Sequence, residues 1–149
     1  MHPFVGDPSL KVTFTDEQLR AVFRLRYHET FGDDVICHGD FGPWNLVWRD
    51  GTPVGVFDFD DVRRADASED VAYALRAFVG YGFADAEPPE LVRRTRLALE
   101  AYGRTFDVPV ILAAEYERVE ERCRRNDWQR ALARLPTERA WLETNRVLF

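Results

Sequence analysis

The chain has 149 residues, 46% hydrophobic and 31% charged, which fits one ordinary domain large enough to bury a core. A net charge of -6 argues against nucleic acid as a partner, and no apolar run approaches the length of a membrane span. Cys37 and Cys123 make no disulfide framework and no secretory signal is visible, so a cytoplasmic protein with reduced thiols is expected.

Residues 1–14 contain two prolines and a glycine without periodicity and are expected to form an arm, leaving residues 15–149 as the single domain. Thr15 and Gln18 fit a capping box. Leu19, Val22, Phe23 and Tyr27 then recur at helical spacing, with Gly32 as the stop. A short strand "VIC" (35–37) leads into the loop "HGDFGPWN". The strands "LVWR" (46–49) and "VGVFD" (54–58) flank Asp50-Gly51, a strong hairpin signal. Beyond Asp61 the pattern turns helical and stays so. One helix is expected over roughly 67–80, with "GYGFAD" (80–85) as its stop, and another from Pro88 to Tyr102, stopped by Gly103. A third starts after Pro109, with Leu112, Tyr116, Val119 and Cys123 on one face. Its wet face carries the pairs Glu120–Arg124 and Glu121–Arg125. The last helix is expected from about Thr137, carrying Trp141, Leu142 and Leu148. The layout is α+β and mostly helical, and lacks the βαβ alternation of a doubly wound sheet.

The polar loop carries the chemistry. His38-Gly39-Asp40, four residues and Asn45 form the H-x-D-x4-N pattern of a kinase catalytic loop. The aspartate has to reach an incoming hydroxyl as general base, and the asparagine has to turn back to hold a metal bridging nucleotide phosphates. Four intervening residues let one tight loop aim both into one cleft. Thirteen residues beyond Asn45, Asp58 in "FDFDD" stands where a strand-end carboxylate would hold Mg²⁺ from the other side. The blander alternatives are a plain turn for His-Gly-Asp and a solvated loop for the acidic run. Cys37 is expected in the core, Trp44 and Trp48 in packing or a cleft wall, and Arg63 and Arg64 in surface ion pairs.

The string "HGDFGPWNLVW…GVFDFDD…D…ED" resembles the aminoglycoside phosphotransferase and choline kinase-like family, which has the protein-kinase-like fold. There, glycine replaces the arginine of the kinase loop and an I-D-W/F-D/E segment replaces Asp-Phe-Gly. The resemblance implies Asp40 as catalytic base, Asn45 and Asp58 as Mg²⁺ ligands, Asp60 as a further acid behind them and His38 as a loop-orienting residue. It implies that Asp70 is a buried helix aspartate bonded to the catalytic-loop backbone. It also implies ATP or GTP as donor and a small-molecule hydroxyl, on an amino sugar or amino alcohol, as acceptor. A cationic acceptor is compatible with the acidic net charge.

The motifs fill residues 35–73, and the flanking helices fit the C-terminal, catalytic lobe of that fold, with a small hairpin beside the loop. The N-terminal lobe of that fold is expected to be absent. Only 34 residues precede Val35, no glycine-rich loop follows a strand, and Lys11 is the sole lysine. Three expectations follow: a kinase completed by a separate chain or by a homodimer, a non-catalytic binding module reusing the lobe, or an inactive truncated fragment.

Overall fold

The computed structural model describes residues 14–25, 30–31, 33–81 and 86–149. Helix α1 spans Asp16–Arg24. Its start follows from the capping box: Thr15 Oγ1 accepts from the Gln18 N–H at 3.1 Å, and Gln18 Oε1 accepts from the Thr15 N–H at 3.0 Å. Leu19, Val22 and Phe23 are buried along one side. The helix stops at Leu25, whose backbone is already extended, so it is shorter than the Tyr27–Gly32 spacing predicts. Tyr27 and Gly32 themselves lie outside the described residues. Phe14, expected in the arm, is a core residue: its ring stacks on Trp48 at 5.6 Å and meets Phe78 at 5.2 Å. The rest of the expected arm, residues 1–13, lies outside the described residues.

Two small antiparallel sheets follow. Strands β1 (Thr30–Phe31), β2 (Asp34–Cys37) and β5 (Arg63–Ala65) pair in the order β1-β2-β5. Strands β3 (Leu46–Arg49) and β4 (Thr52–Val56) form the hairpin. Asp50 and Gly51 have φ of 50° and 75°, the left-handed pair a tight hairpin turn demands. That turn sets Arg49 opposite Thr52, so β4 begins and ends two residues earlier than expected. Strand β5 corrects the expectation of unbroken helix after Asp61. Arg63 and Arg64 pair with Cys37 and Ile36, and their side chains reach Glu69 and Asp34.

Helix α2 (Ser68–Ala74) passes into a π turn (Leu75–Val79) that ends at Gly80, φ 104°. The expected stop at Gly80 is therefore in place, while residues 82–85 lie outside the described residues. Helix α3 spans Pro88–Tyr102 and stops at Gly103, φ 86°. Helix α4 (Val108–Arg125) is capped by Asp107, whose carboxylate accepts from the Val110 N–H at 3.2 Å. Helix α5 (Gln129–Asn145) begins eight residues before Thr137 and contains Pro136. A proline there deprives the Leu132 carbonyl of its helical partner. Burial of Leu135, Glu138 and Leu142 along one side overrides that local cost.

Helix α1 packs on α3, α4 on α5, and α2 on α4. Leu19, Leu75, Leu112, Tyr116 and Leu135 are fully buried between them. Each of the four leucines contributes about 1.5–3 kcal/mol by leaving water. Among the described residues no helix is long and apolar enough to cross a membrane.

Candidate functional site

The loop between β2 and β3 is built on two backbone N–H groups and one carboxylate. Asp70, 2% exposed in the first turn of α2, accepts from His38 N–H at 2.6 Å through Oδ2 and from Gly39 N–H at 3.0 Å through Oδ1. Gly39 has φ 85°, and a Cβ at this position would run into the Asp61 carbonyl oxygen, so only glycine fits the turn. His38 is fully buried and its ring spans two segments. Nδ1 accepts from the Asp40 N–H at 3.2 Å, which leaves the proton on Nε2, facing the Phe57 carbonyl at 2.8 Å. The Phe57 N–H in turn donates to the Asn45 carbonyl at 3.0 Å. The segment entering Asp58 is thus tied to both ends of the loop. Asp58 has φ 62°, a left-handed conformation that aspartate tolerates better than most residues.

Asp40 stands at the centre. Its Oδ2 accepts from Trp44 Nε1 at 3.1 Å and from Asn45 Nδ2 at 2.9 Å. Its Oδ1 accepts from the Tyr73 hydroxyl. Arg122, from α4, places Nη1 3.9 Å from Oδ1 and donates through Nη2 to the Gly39 carbonyl at 2.7 Å. The same guanidinium lies 5.6 Å from the centre of the Tyr73 ring. Burial, reinforced by the adjacent Asp40 charge, holds the Tyr73 phenol well above its ordinary value, so it remains a donor at neutral pH.

A one-turn 3₁₀ helix, Pro43–Asn45, swings Asn45 back under the loop. Both Nδ2 bonds go to Asp40, to its carbonyl at 2.9 Å and to its carboxylate. Asn45 Oδ1 is buried and has no hydrogen-bond partner. An orphaned buried acceptor is costly unless something binds it. An amide oxygen and the carboxylate of Asp58 are hard donors of the kind Mg²⁺ takes when phosphates supply further ligands. Among the described residues no group of three or more His, Cys, Asp or Glu converges as a self-sufficient metal site.

His38, Asp40, Asn45 and Asp70 are joined by direct hydrogen bonds, and Asp58 lies one residue beyond the Phe57 link. Asp60 is exposed in the turn after Phe59. Trp44 does more than line a wall, since it donates to Asp40. Cys37 is a core residue whose thiol burial pushes up to about 12, with Sγ 3.4 Å from the Asp66 carbonyl. Tyr73 and Arg122 were not among the residues singled out from the sequence. Tyr73 had a signal, because it lies three residues after Asp70 on the same helix face. Arg122 had none, being 83 positions from the loop carbonyl it holds.

The profile of the phosphotransferase enzyme family matches residues 7–108, and the chain belongs to that family. It is also 33% identical over 81 residues to the trifolitoxin immunity protein of Rhizobium leguminosarum bv. trifolii. That match covers 48% of this chain and 30% of the relative. No solved structure matches.

Proposed function

We propose that this family member is the catalytic lobe of a kinase-like small-molecule phosphotransferase, moving the γ-phosphoryl group of Mg·ATP, or of Mg·GTP, to a hydroxyl. The observation that carries this reading is the buried, unpartnered Oδ1 of Asn45 directly beside three hydrogen-bond donors on the Asp40 carboxylate, with the Arg122 guanidinium 3.9 Å away. A plain turn would have no reason to bury an acceptor without a partner.

In this reading Asp40 accepts the proton of the acceptor hydroxyl. The hydroxyl oxygen forms its bond to the γ-phosphorus as the bond to the bridging oxygen breaks, releasing the nucleoside diphosphate. Asn45 and Asp58 are the residues that would hold Mg²⁺, which when bound neutralises charge on the phosphate oxygens. His38 and Asp70 keep the loop backbone in place without entering the chemistry. Asp60, exposed two residues beyond Asp58, is the further acid in this reading.

Phosphoryl transfer also needs water kept out. Eight large apolar residues are exposed among the described ones, and five of them, Val47, Val54, Phe57, Phe59 and Val62, come from the hairpin and the Asp58 segment. That concentration beside the proposed metal ligands supports a second chain or a second copy covering this side. A non-catalytic binding module is the second reading. The likeness to a protein named for immunity to a toxin favours it.

Thermal unfolding with and without Mg·ATP separates the two. A melting temperature raised by millimolar Mg·ATP in the wild type but not in Asp58→Ala is the expected result. No shift in the wild type would sink a phosphotransferase that works without a partner chain and favour the binding module.

A further inference from the structure

Asp40 is held from outside its own loop, and the pattern of donors leaves one side open. A carboxylate offers about four lone-pair sites, two on each oxygen. On Oδ2 both are occupied, by Trp44 Nε1 and Asn45 Nδ2. On Oδ1 one is taken by the Tyr73 hydroxyl, while Arg122 Nη1, at 3.9 Å, stands beyond hydrogen-bonding reach. The remaining acceptor site is therefore on Oδ1, flanked by Tyr73 of α2 and Arg122 of α4.

We propose that Tyr73 and Arg122 are positioning residues for Asp40, fixing its carboxylate so that the acceptor hydroxyl reaches Oδ1 from between α2 and α4. The proposal rests on the phosphotransferase reading for its catalytic consequence, but its geometric content stands apart from it. The loop "HGDFGPWN" contains no lysine or arginine, so the cation beside Asp40 has to come from elsewhere. Arg122 supplies it, and its hydrogen bond to the Gly39 carbonyl pins the residue that precedes Asp40. The side chain is only 25% exposed, which keeps this charge from being screened as a surface charge would be. Tyr73 sets the other limit. Its ring is held edge-on by Trp44, 6.3 Å between centroids, and its hydroxyl fixes the rotation of the carboxylate about the side-chain bond. Helix α2 changes to a π turn directly after Ala74, which re-aims the residues that follow without disturbing Asp70 and Tyr73 on the preceding turn.

Trp44 provides a readout that needs no turnover, because its indole N–H donates to the same carboxylate. Its indole ¹H–¹⁵N cross-peak, assigned by its loss in Trp44→Phe, is followed in the full chain with Tyr73→Phe, Arg122→Met and Arg122→Lys. The expected result is a displaced Trp44 cross-peak and solvent exchange about fivefold to tenfold faster in Tyr73→Phe and Arg122→Met, the change that losing about one net hydrogen bond produces. Arg122→Lys, which keeps a donor for the Gly39 carbonyl, restores much of the wild-type exchange. With an acceptor in hand, Tyr73→Phe and Arg122→Met lower kcat by about 10²-fold with the KM for Mg·ATP unchanged, the signature of a misplaced base. An unmoved Trp44 cross-peak in both variants overturns the proposal, as does an equal loss of kcat and nucleotide affinity. A wild type that never turns over Mg·ATP refutes the phosphotransferase reading instead, and the indole exchange alone then decides whether Tyr73 and Arg122 position Asp40.

Discussion

Asp70 is the residue whose replacement the structure prices most directly. Its carboxylate is buried and accepts from two consecutive backbone N–H groups, at 2.6 and 3.0 Å. In Asp70→Asn one oxygen remains, so one N–H keeps an acceptor and the other faces an amide NH₂. The lost bond to a charged acceptor costs about 1.5–3 kcal/mol, and the orphaned donor adds about 1 kcal/mol or more. A destabilisation of about 2–4 kcal/mol is expected. Asp70→Ala strands both donors and should cost about 3–6 kcal/mol, a large part of the 5–15 kcal/mol that holds an ordinary domain together. Urea unfolding at pH 7, followed by far-UV circular dichroism, gives the free energies. Amide exchange gives the location: the His38 and Gly39 protons should be protected in the wild type and lose protection in Asp70→Asn beyond what global destabilisation explains. A loss under about 0.5 kcal/mol, within the range of ordinary surface changes, with those two amides still slow, would show that the loop is held by something other than Asp70.

Two further perturbations follow from charged groups away from the loop. Arg76 and Glu138 form a buried pair at 2.9 and 3.1 Å between the π turn and α5, where burial opposes the arginine charge but Glu138 holds it above its ordinary value. Arg76→Met strands the Glu138 carboxylate and should cost about 3–5 kcal/mol, most of it recovered in the double variant Arg76→Met/Glu138→Leu, and an additive cycle in urea unfolding would disprove the coupling. Asp66 is held below 3.8 by its hydrogen bonds to Ser68, with Arg104 adding to the effect. A depressed carboxylate contributes stability that is present above 3.8 and is lost as pH falls through the folded value. Asp66→Asn should therefore be less stable than wild type at pH 7, by under about 1 kcal/mol because Asp66 is half exposed, and the gap should close below pH 3.8. A gap that stays constant from neutral to acid pH contradicts the charge-based account.

Local chemistry made most of the fold legible. The capping box at Thr15 and the glycines at 80 and 103 marked helix ends with side-chain or left-handed geometry, and those ends stand where the residues place them. Where an end has no such mark, local spacing misplaces it. The spacing of Tyr27 predicts that helix α1 continues past Arg24, yet the chain turns extended at Leu25. Helix α5 starts at Gln129, well before the Thr137 expected, and runs through Pro136 with Leu135 and Leu142 buried on either side of it. Strand β5 was invisible for a different reason. "RRA" has neither alternation nor β-branched residues, and it is a strand only because β2 offers it a partner 26 residues upstream, with Cys37 facing Arg63.

The candidate site divides along the same line. Asp40 and Asn45 lie close in the chain, and Asp58 follows at a fixed interval, so their grouping is a property of local spacing that a sequence carries. What orients them is not local. Asp70 was reached through a resemblance, and its bonds to His38 and Gly39 span 32 and 31 positions. Tyr73 adds a donor to Asp40 and Arg122 a charge beside it, across 33 and 82 positions, from two helices that meet only in the folded core. A loop such as "HGDFGPWN" thus names the proposed base and metal ligand, while the side of Asp40 left open in the fold is decided by side chains that no motif contains. The arginine at 122 makes the point sharpest. Within "ERVEERCRR" it is one of several arginines, and its neighbours Arg124 and Arg125 do pair with Glu120 and Glu121 on the wet face, as the i,i+4 spacing predicts. Only the turn of α4 against α2 separates the one that faces Asp40 from the two that face water.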